Sequence, residues 1–428
     1  MASAVAATGA AAAAPTISEF PTSSSVNGVA PGPDGAIWFT EPIANKIGRF
    51  DLTTQQIAEY PAGSVPDATP YGITAGPDGN IWFTEQSANK VARMDIATHA
   101  VTEYPIAKPH TNPTRILAGP DGQLWVAEID GGEVSKVDPA TGTVTPIALQ
   151  AGAGAQGLAT GADGNVWVTE RDARRFARIV PATGQVTTFS AGLSPDAGLR
   201  QITPGPDGNL WFTEFNTQTP SSRVGKIDPL APTPTATEFS AGIGKNSSPV
   251  DIVAGSDGAL WFTEGLANKV GRIDPASGTV EEFSDGITTT SGLWGIAAGA
   301  DGNVWFAEGG SGHLARVNLV AVPDPAPPGG GGAGDPGADP PGGDGTPGGQ
   351  PNPGGPPHVK CHVPKLVGRR LARAKRVLAK AHCSVGKVRH RGPKGTRRWV
   401  VKAQSRKAGK TLAAKAKVSL TVRPARRH

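Results

Sequence analysis

Residues able to transfer protons or bind metals recur in this chain at regular intervals. A glutamate closes each of seven copies of the pattern Gly-x-Asp-Gly-x-(Ile/Leu/Val)-Trp-(Phe/Val)-(Thr/Ala)-Glu, at Glu41, Glu85, Glu128, Glu170, Glu214, Glu264 and Glu308. Carboxylates gathered on one ring could hold a cation or serve as acid and base. Symmetry argues against that, because a catalytic centre must distinguish its groups. A residue present in every copy is expected to be architectural, bonding backbone or pairing with a Lys or Arg of the next strand, such as Lys46, Arg93 or Arg272. No metal site is expected. Histidine is the commonest general base, and residues 17–321 hold three: His99, His110 and His313. His99 falls in a turn on the opposite side of the repeat and His313 opens a strand, so His110, in a loop ahead of a first strand, is the weak catalytic candidate.

The elements that position these groups follow from the repeat. Its Trp falls at Trp38, Trp82, Trp125, Trp167, Trp211, Trp261 and Trp305, 42 to 50 residues apart. In the second copy, a strand near Tyr71–Thr74 meets the Asp78-Gly79 turn, whose glycine supplies the positive φ of a tight hairpin. Strands over 81–85, 90–95 and 101–105 follow. Four strands per unit, seven times over, predict an all-β fold, a seven-bladed β-propeller. The last unit lacks a fourth strand, and Ile17-Ser18-Glu19-Phe20-Pro21 matches the missing one. That N-terminal strand is expected to close the ring and remove a free sheet edge. The Trp ring is expected to pack between neighbouring blades.

A binding site must break the symmetry. The position two before each first-strand aliphatic reads Asn27, Tyr71, Thr114, Gln156, Arg200, Val250 and Trp294, and the next position includes Arg115, Gln201 and Asp251. These columns should face the central funnel. Asn27, Tyr71, Arg115, Gln156, Arg200, Asp251 and Trp294 would suit a ligand of mixed polar and aromatic character, a small molecule or a peptide.

Composition divides the chain further. It has 428 residues with 58 Gly and 40 Pro, a content that excludes a mainly helical fold. Of the 35 residues in 323–357, 25 are Pro or Gly. Segment 322–357 therefore reads as a linker. The formal charge of +5 conceals a strong asymmetry: residues 358–428 carry 23 Lys and Arg and no acid, whereas 1–357 carry 18 Lys and Arg against 36 acids. No apolar run is long enough for a membrane span. Residues 1–16 are Ala-rich, with small residues at Ala11–Ala14 but no basic start. They read as a residual export signal or as an Ala-rich tail.

The units Gly-Pro-Asp-Gly-Asn-Ile-Trp-Phe-Thr-Glu (76–85) and Asn-Lys-Val-Gly-Arg-Ile-Asp (268–274) closely resemble the virginiamycin B lyase family, the streptogramin lyases, over residues 17–320. The resemblance implies a seven-bladed propeller. It also implies a carbon–oxygen lyase that opens cyclic depsipeptides by elimination at an ester, assisted by Mg²⁺. The family's motif residues are not matched. Its blade-six His corresponds to Val250, its blade-seven Glu-x-His to Gly292-Leu293-Trp294, its later Glu to Gly309, and its blade-one Tyr to Asn27. The fold is therefore expected to transfer and the reaction is not.

Residues 358–428 form the remaining expected domain. Val363-Pro364-Lys365-Leu366-Val367-Gly368 is followed by apolar residues at Leu371, Ala374, Leu378 and Ala381, a helical spacing. Strands are expected around Val385–Val388, Val400-Val401 and Val418–Val422. The pattern resembles a PASTA domain, a small α+β module associated with bacterial cell-wall enzymes and thought to bind peptidoglycan fragments. Cys361 and Cys383 flank the expected helix and would suit a disulfide in an exported domain. So basic a domain will bind polyanions. A cell-wall polymer is expected, because nucleic-acid binding has only Trp399 as an aromatic and no recognition motif in support. The expectation is a monomeric, secreted or envelope-associated binding protein, with a lyase using a rearranged site as the alternative and Mg²⁺ only in that case.

Overall fold

The computed structural model describes residues 14–215 and 222–319, together with five strands after residue 360. The chain divides into two units, Met1–Gly329 and Gly330–His428.

The first unit opens with β1 (Thr16–Pro21). Blade one is β2 (Val29–Pro31), β3 (Ile37–Glu41), β4 (Lys46–Phe50) and β5 (Ile57–Pro61). Blade two is β6 (Pro70–Ala75), β7 (Ile81–Glu85), β8 (Lys90–Met94) and β9 (Val101–Pro105). Blade three is β10 (Pro113–Ala118), β11 (Leu124–Glu128), β12 (Glu133–Val137) and β13 (Val144–Ala148). Blade four is β14 (Ala155–Thr160), β15 (Val166–Glu170), β16 (Arg175–Ile179) and β17 (Val186–Phe189). Blade five is β18 (Leu199–Pro204), β19 (Leu210–Phe215), β20 (Ser222–Ile227) and β21 (Ala236–Phe239). Blade six is β22 (Pro249–Ala254), β23 (Leu260–Glu264), β24 (Lys269–Ile273) and β25 (Val280–Phe283). Blade seven takes β26 (Leu293–Ala298), β27 (Val304–Glu308) and β28 (His313–Asn318), and β1 pairs antiparallel with β28 from Thr16↔Asn318 to Pro21↔His313. The protein is a seven-bladed all-β propeller closed by its N-terminal strand, as the repeat predicts.

The repeated residues explain the repeated geometry. Each Asp-Gly glycine has φ between +78° and +89°, a region that glycine enters without steric cost. Each turn Asp accepts a hydrogen bond from the indole Nε1–H four residues on, from Trp38→Asp34 at 3.0 Å to Trp305→Asp301 at 3.2 Å. The indoles are almost wholly buried and this bond satisfies their one polar atom. Each Trp packs across a blade boundary: Trp38 lies among Ile73, Ile81 and Phe83 of the next blade, and Trp305 among Val29, Ile37 and Phe39 of blade one. Strand-four aromatics cover them, as with Tyr104 on Trp82 at 5.4 Å and Phe20 on Trp305 at 5.5 Å.

The second unit contains β29 (Cys361–His362), β30 (Ser384–His390), β31 (Trp399–Gln404), β32 (Thr411–Leu412) and β33 (Lys417–Pro424). β33 lies centrally, parallel to β30 and antiparallel to β31, and β29 pairs with β32. The segments 1–13 and 322–357, the helix expected over 371–381 and the side chains of Cys361 and Cys383 lie outside the described residues. Among the described residues, no helix is long and apolar enough to cross a membrane.

Candidate functional site: the central channel

The innermost strands carry a device that the sequence pattern conceals. In blades two to seven the register between first and second strands slips by one residue. Pro70 faces Glu85 and Ile73 faces Phe83, so Tyr71 and Gly72 form a β-bulge, and the same slip falls at residues 114–115, 156–157, 200–201, 250–251 and 294–295. A bulge re-aims side chains and recurs beside active sites. Threonines of the second strand hold it. Thr84 Oγ1 accepts from Gly72 N–H at 2.9 Å and donates to Thr114 C=O of the next blade at 2.9 Å. Thr40, Thr169, Thr213 and Thr263 do the same, the last donating to Trp294 C=O at 2.6 Å. In blades three and seven Ala127 and Ala307 take that place. The Thr/Ala position of the repeat thus stitches adjacent bulges. The approach is close: a Cβ on Gly72 would lie 2.2 Å from the Thr114 carbonyl oxygen.

The bulges deliver a charged partition into the channel. Arg115 of blade three reaches across to Asp251 of blade six, Nη2 to Oδ2 at 3.1 Å. Asp251 also accepts from the backbone N–H groups of Ile252 at 2.8 Å and Ile296 at 3.2 Å. It is 5 % exposed, and burial pushes its carboxyl above the usual range against the pull of Arg115. On one side of this bridge lies a chamber of about 340 Å³, walled by Ile73, Ile116, Ile202, Ile252 and Ile296 and floored by Arg115, Gln201 and Asp251. On the side of the strand-one bulges, Tyr71, Arg115, Gln156, Arg200, Gln201 and Val250 converge on a polar cavity of about 10 Å³. That volume admits one water-sized group.

Of the residues expected at the funnel, Tyr71, Arg115, Gln156 and Arg200 line this cavity, joined by Gln201 and Val250. Three others stand elsewhere. Asp251 is turned into the partition. Asn27 is 7 % exposed and its carbonyl accepts from Gly295 N–H at 2.9 Å. Trp294 packs against the cluster of Val26, Val29 and Phe39 and against Gly309. His110 is exposed in the β9–β10 loop and is not among the lining residues.

Arg200 is the outstanding group. Its guanidinium is largely removed from water, and burial pulls its pKa down against the opposing pull of Tyr71, with Arg171 and Arg115 nearby adding repulsion. Its Nε has no hydrogen-bond partner, its head lies 5.4 Å from the Phe215 ring centroid, and no carboxylate among the described residues pairs with it. Mg²⁺ does not fit this cavity. The lining offers two guanidiniums, two amides, a phenol and Val250, and the nearby carboxylate, Asp251, is already held by Arg115 and two backbone N–H groups.

The glutamate ring is buried in place, and part of it has the partners expected: Glu41 accepts from the Ser24 N–H at 3.2 Å, and two members pair with third-strand arginines, whereas Lys46, Arg93 and Arg272 bind elsewhere. Glu41, Glu85, Glu128, Glu170, Glu214, Glu264 and Glu308 are all at most 1 % exposed. Glu170 pairs with Arg175 and Glu214 with Arg223 at 3.5 Å. Lys46 instead binds Glu59 at 2.8 Å, and Arg93 and Arg272 bind the turn residues Asp78 at 3.1 Å and Asp257 at 2.9 Å. For the arginines the reason is register: Lys90 faces Glu85, whereas Arg93 faces Trp82, at the turn end of the blade. Burial first, then a neighbouring glutamate, raises Glu41 and Glu85 to about 7 and Glu214 and Glu264 to about 8.

Comparison with known proteins accords with this architecture. A solved virginiamycin B lyase from Staphylococcus aureus is similar at 29 % identity and a TM-score of 0.64, over 72 % of this chain and 100 % of its own. A catalytically inactive variant of that enzyme, solved with quinupristin, is similar at 28 % identity, with the same TM-score and coverage. A streptogramin B lyase structure is similar at 30 % identity and a TM-score of 0.64, over 72 % of this chain and 98 % of its own. Curated proteins give no match. Residues 5–191 and 99–322 match the virginiamycin B lyase family, and the chain belongs to that family.

Proposed function

We propose that the propeller is a recognition platform that binds a small molecule or peptide through an anionic group, rather than a lyase opening an ester. The observation that carries this reading is Arg200, a desolvated guanidinium without a carboxylate partner, converging with Tyr71 and Gln156 on a cavity for one small polar group. One oxygen of a ligand carboxylate is the natural occupant, because a charge-assisted bond to arginine is strong in a dry site. The rest of the ligand lies in the mouth above. Elimination would need a base near the substrate α-proton and a cation on the acyl group. Val250 and Trp294 stand where the resembled enzymes carry histidine, and Gly292 and Gly309 where they carry glutamate.

The second reading is a carbon–oxygen lyase with a rearranged site, favoured by family membership and by the quinupristin complex of the S. aureus relative. Incubation with a streptogramin B and Mg²⁺, followed by mass spectrometry, separates the two. The recognition reading predicts intact cyclic substrate, and a linearised product overturns it.

The PASTA-like reading of 358–428, with its 23 basic residues, makes this unit a cell-wall or polyanion anchor in a secreted or envelope protein, with peptidoglycan or an anionic wall polymer as partner. A Cys361–Cys383 disulfide belongs to the same proposal. Deletion of 358–428 should abolish retention on purified cell wall, and unchanged retention would refute the anchor.

A further inference from the structure

Blade seven departs from its sisters at the ring closure. In blades one, two and six a lysine faces the ring glutamate in register: Lys46 opposite Glu41, Lys90 opposite Glu85 and Lys269 opposite Glu264. A strand-four glutamate then binds that lysine, Glu59 at 2.8 Å, Glu103 at 2.6 Å and Glu282 at 2.6 Å. In blade five Arg223 has the same role between Glu214 and Glu238, each at 3.5 Å. The unit is two carboxylates around a fixed cation.

In blade seven both carboxylates remain and the fixed cation is absent. Glu308 ends β27, Glu19 comes from the closing strand β1 opposite Ala315, and His313 stands in register with Glu308. No Lys or Arg among the described residues pairs with Glu19 or Glu308, and His313 Nδ1 lies 3.7 Å from Glu308 Oε2, too far for a hydrogen bond. Glu308 is fully buried, and its Oε1 has no hydrogen-bond partner. His313 Nδ1 is buried and also without a partner. One donor atom from each of the three residues lies within 4.8 Å of the others. Thr288 N–H and Oγ1–H hold Glu19, and Ser311 Oγ–H holds Glu308 at 2.7 Å. These contacts orient the carboxylates and leave lone pairs for a further ligand.

We propose that Glu19, Glu308 and His313 form a divalent-cation site that supplies at the ring closure the positive charge that lysine or arginine supplies in blades one, two, five and six. One imidazole nitrogen and two carboxylate oxygens suit Zn²⁺, with a water completing its tetrahedron. None of the three lines the funnel cavity, so the site is structural and independent of ligand recognition. The ion ties β1 to β27 and β28.

The test uses the full chain, stripped with a chelator and titrated with ZnCl₂ or MgCl₂ by calorimetry and thermal unfolding. His313→Lys installs the residue found in blades one, two and six. Wild type should bind one more Zn²⁺ than His313→Lys, and only wild type should gain several degrees in Tm from Zn²⁺. The metal-free lysine variant should melt at or above metal-free wild type. Cys361, Cys383, His362 and His382 are present in both chains, so their binding cancels in the difference. If the lysine variant does not fold, Glu19→Gln must show the same loss of one Zn²⁺. Equal Zn²⁺ stoichiometry in wild type and variant overturns the proposal, as does a Mg²⁺ response equal to that of Zn²⁺. Wild type that binds no Zn²⁺ overturns it as well, a proton between the two glutamates then serving instead.

Discussion

The two ends of the Arg115–Asp251 bridge should not be independent: removing both should cost less than the sum of removing each. The bridge spans the channel between opposite blades, and its side chains are 14 % and 7 % exposed. Asp251→Asn preserves shape but leaves the Arg115 guanidinium unneutralised beside Arg200, itself already desolvated. Removing one partner of a buried pair typically costs about 3–5 kcal/mol. Arg115→Met leaves a buried carboxylate that still has the Ile252 and Ile296 N–H groups, so its cost should fall near the lower end of that range. The double variant Arg115→Met/Asp251→Asn removes both charges together. Its cost should fall short of the sum of the singles by about 2 kcal/mol or more, within the range found for contacting pairs. Urea unfolding of the four proteins at pH 7 measures this through the transition midpoints, with m-values compared to exclude a change in compactness. Single variants within about 0.5 kcal/mol of wild type, or strict additivity, would refute the view that this bridge is a buried, mutually dependent partition.

Three further outcomes follow from the fold. Glu85 has its carboxyl raised from 4.5 to about 7, so folding takes up a proton between those values. Its contribution to stability is full below pH 4.5 and falls as pH rises towards 7, and Glu85→Gln should flatten that slope by at most one proton, about 1.4 kcal/mol per pH unit. Unfolding midpoints across pH 4.5 to 8 check it. Phe20→Ala strips the closing strand of its contacts with Phe50 at 4.5 Å and Trp305 at 5.5 Å. Phe20 is only partly buried, so thermal unfolding should show a loss of about 2–3 kcal/mol, below the range for a fully buried Phe→Ala change. Gly72→Ala places a Cβ 2.2 Å from the Thr114 carbonyl oxygen, where backbone must move, and should destabilise by about 2–4 kcal/mol in urea unfolding.

Periodicity makes the ring legible in the sequence. One Trp per unit located each second strand, and the stray Glu19-Phe20-Pro21 strand could be assigned to the last blade because it repeated the fourth-strand pattern. The site was less legible. The two columns read as funnel-facing hold Tyr71, Arg115, Gln156 and Arg200, which line the small cavity, and Asp251, which lines the chamber, because the bulge presents consecutive residues to the channel. That reading could not foresee that Arg115 and Asp251 meet across the channel, since that depends on which blades stand opposite each other. The bulge leaves no mark in composition. Its signal was the Thr or Ala after the Trp-(Phe/Val) pair, where Thr40, Thr84, Thr169, Thr213 and Thr263 bridge the blades. That Arg93 does not pair with Glu85 was available from strand alternation, because it lies three residues beyond the position that faces Glu85.

The central claim is that Arg200 receives an anionic group of the ligand. Calorimetric titration with N-acetyl-phenylalaninate and with its uncharged amide, on wild type and on Arg200→Gln, tests it most directly. The account predicts that wild type binds the carboxylate, at about millimolar strength, and not the amide, and that Arg200→Gln loses this preference. Equal binding of the two compounds by wild type, or a preference for the carboxylate that survives in Arg200→Gln, would contradict it.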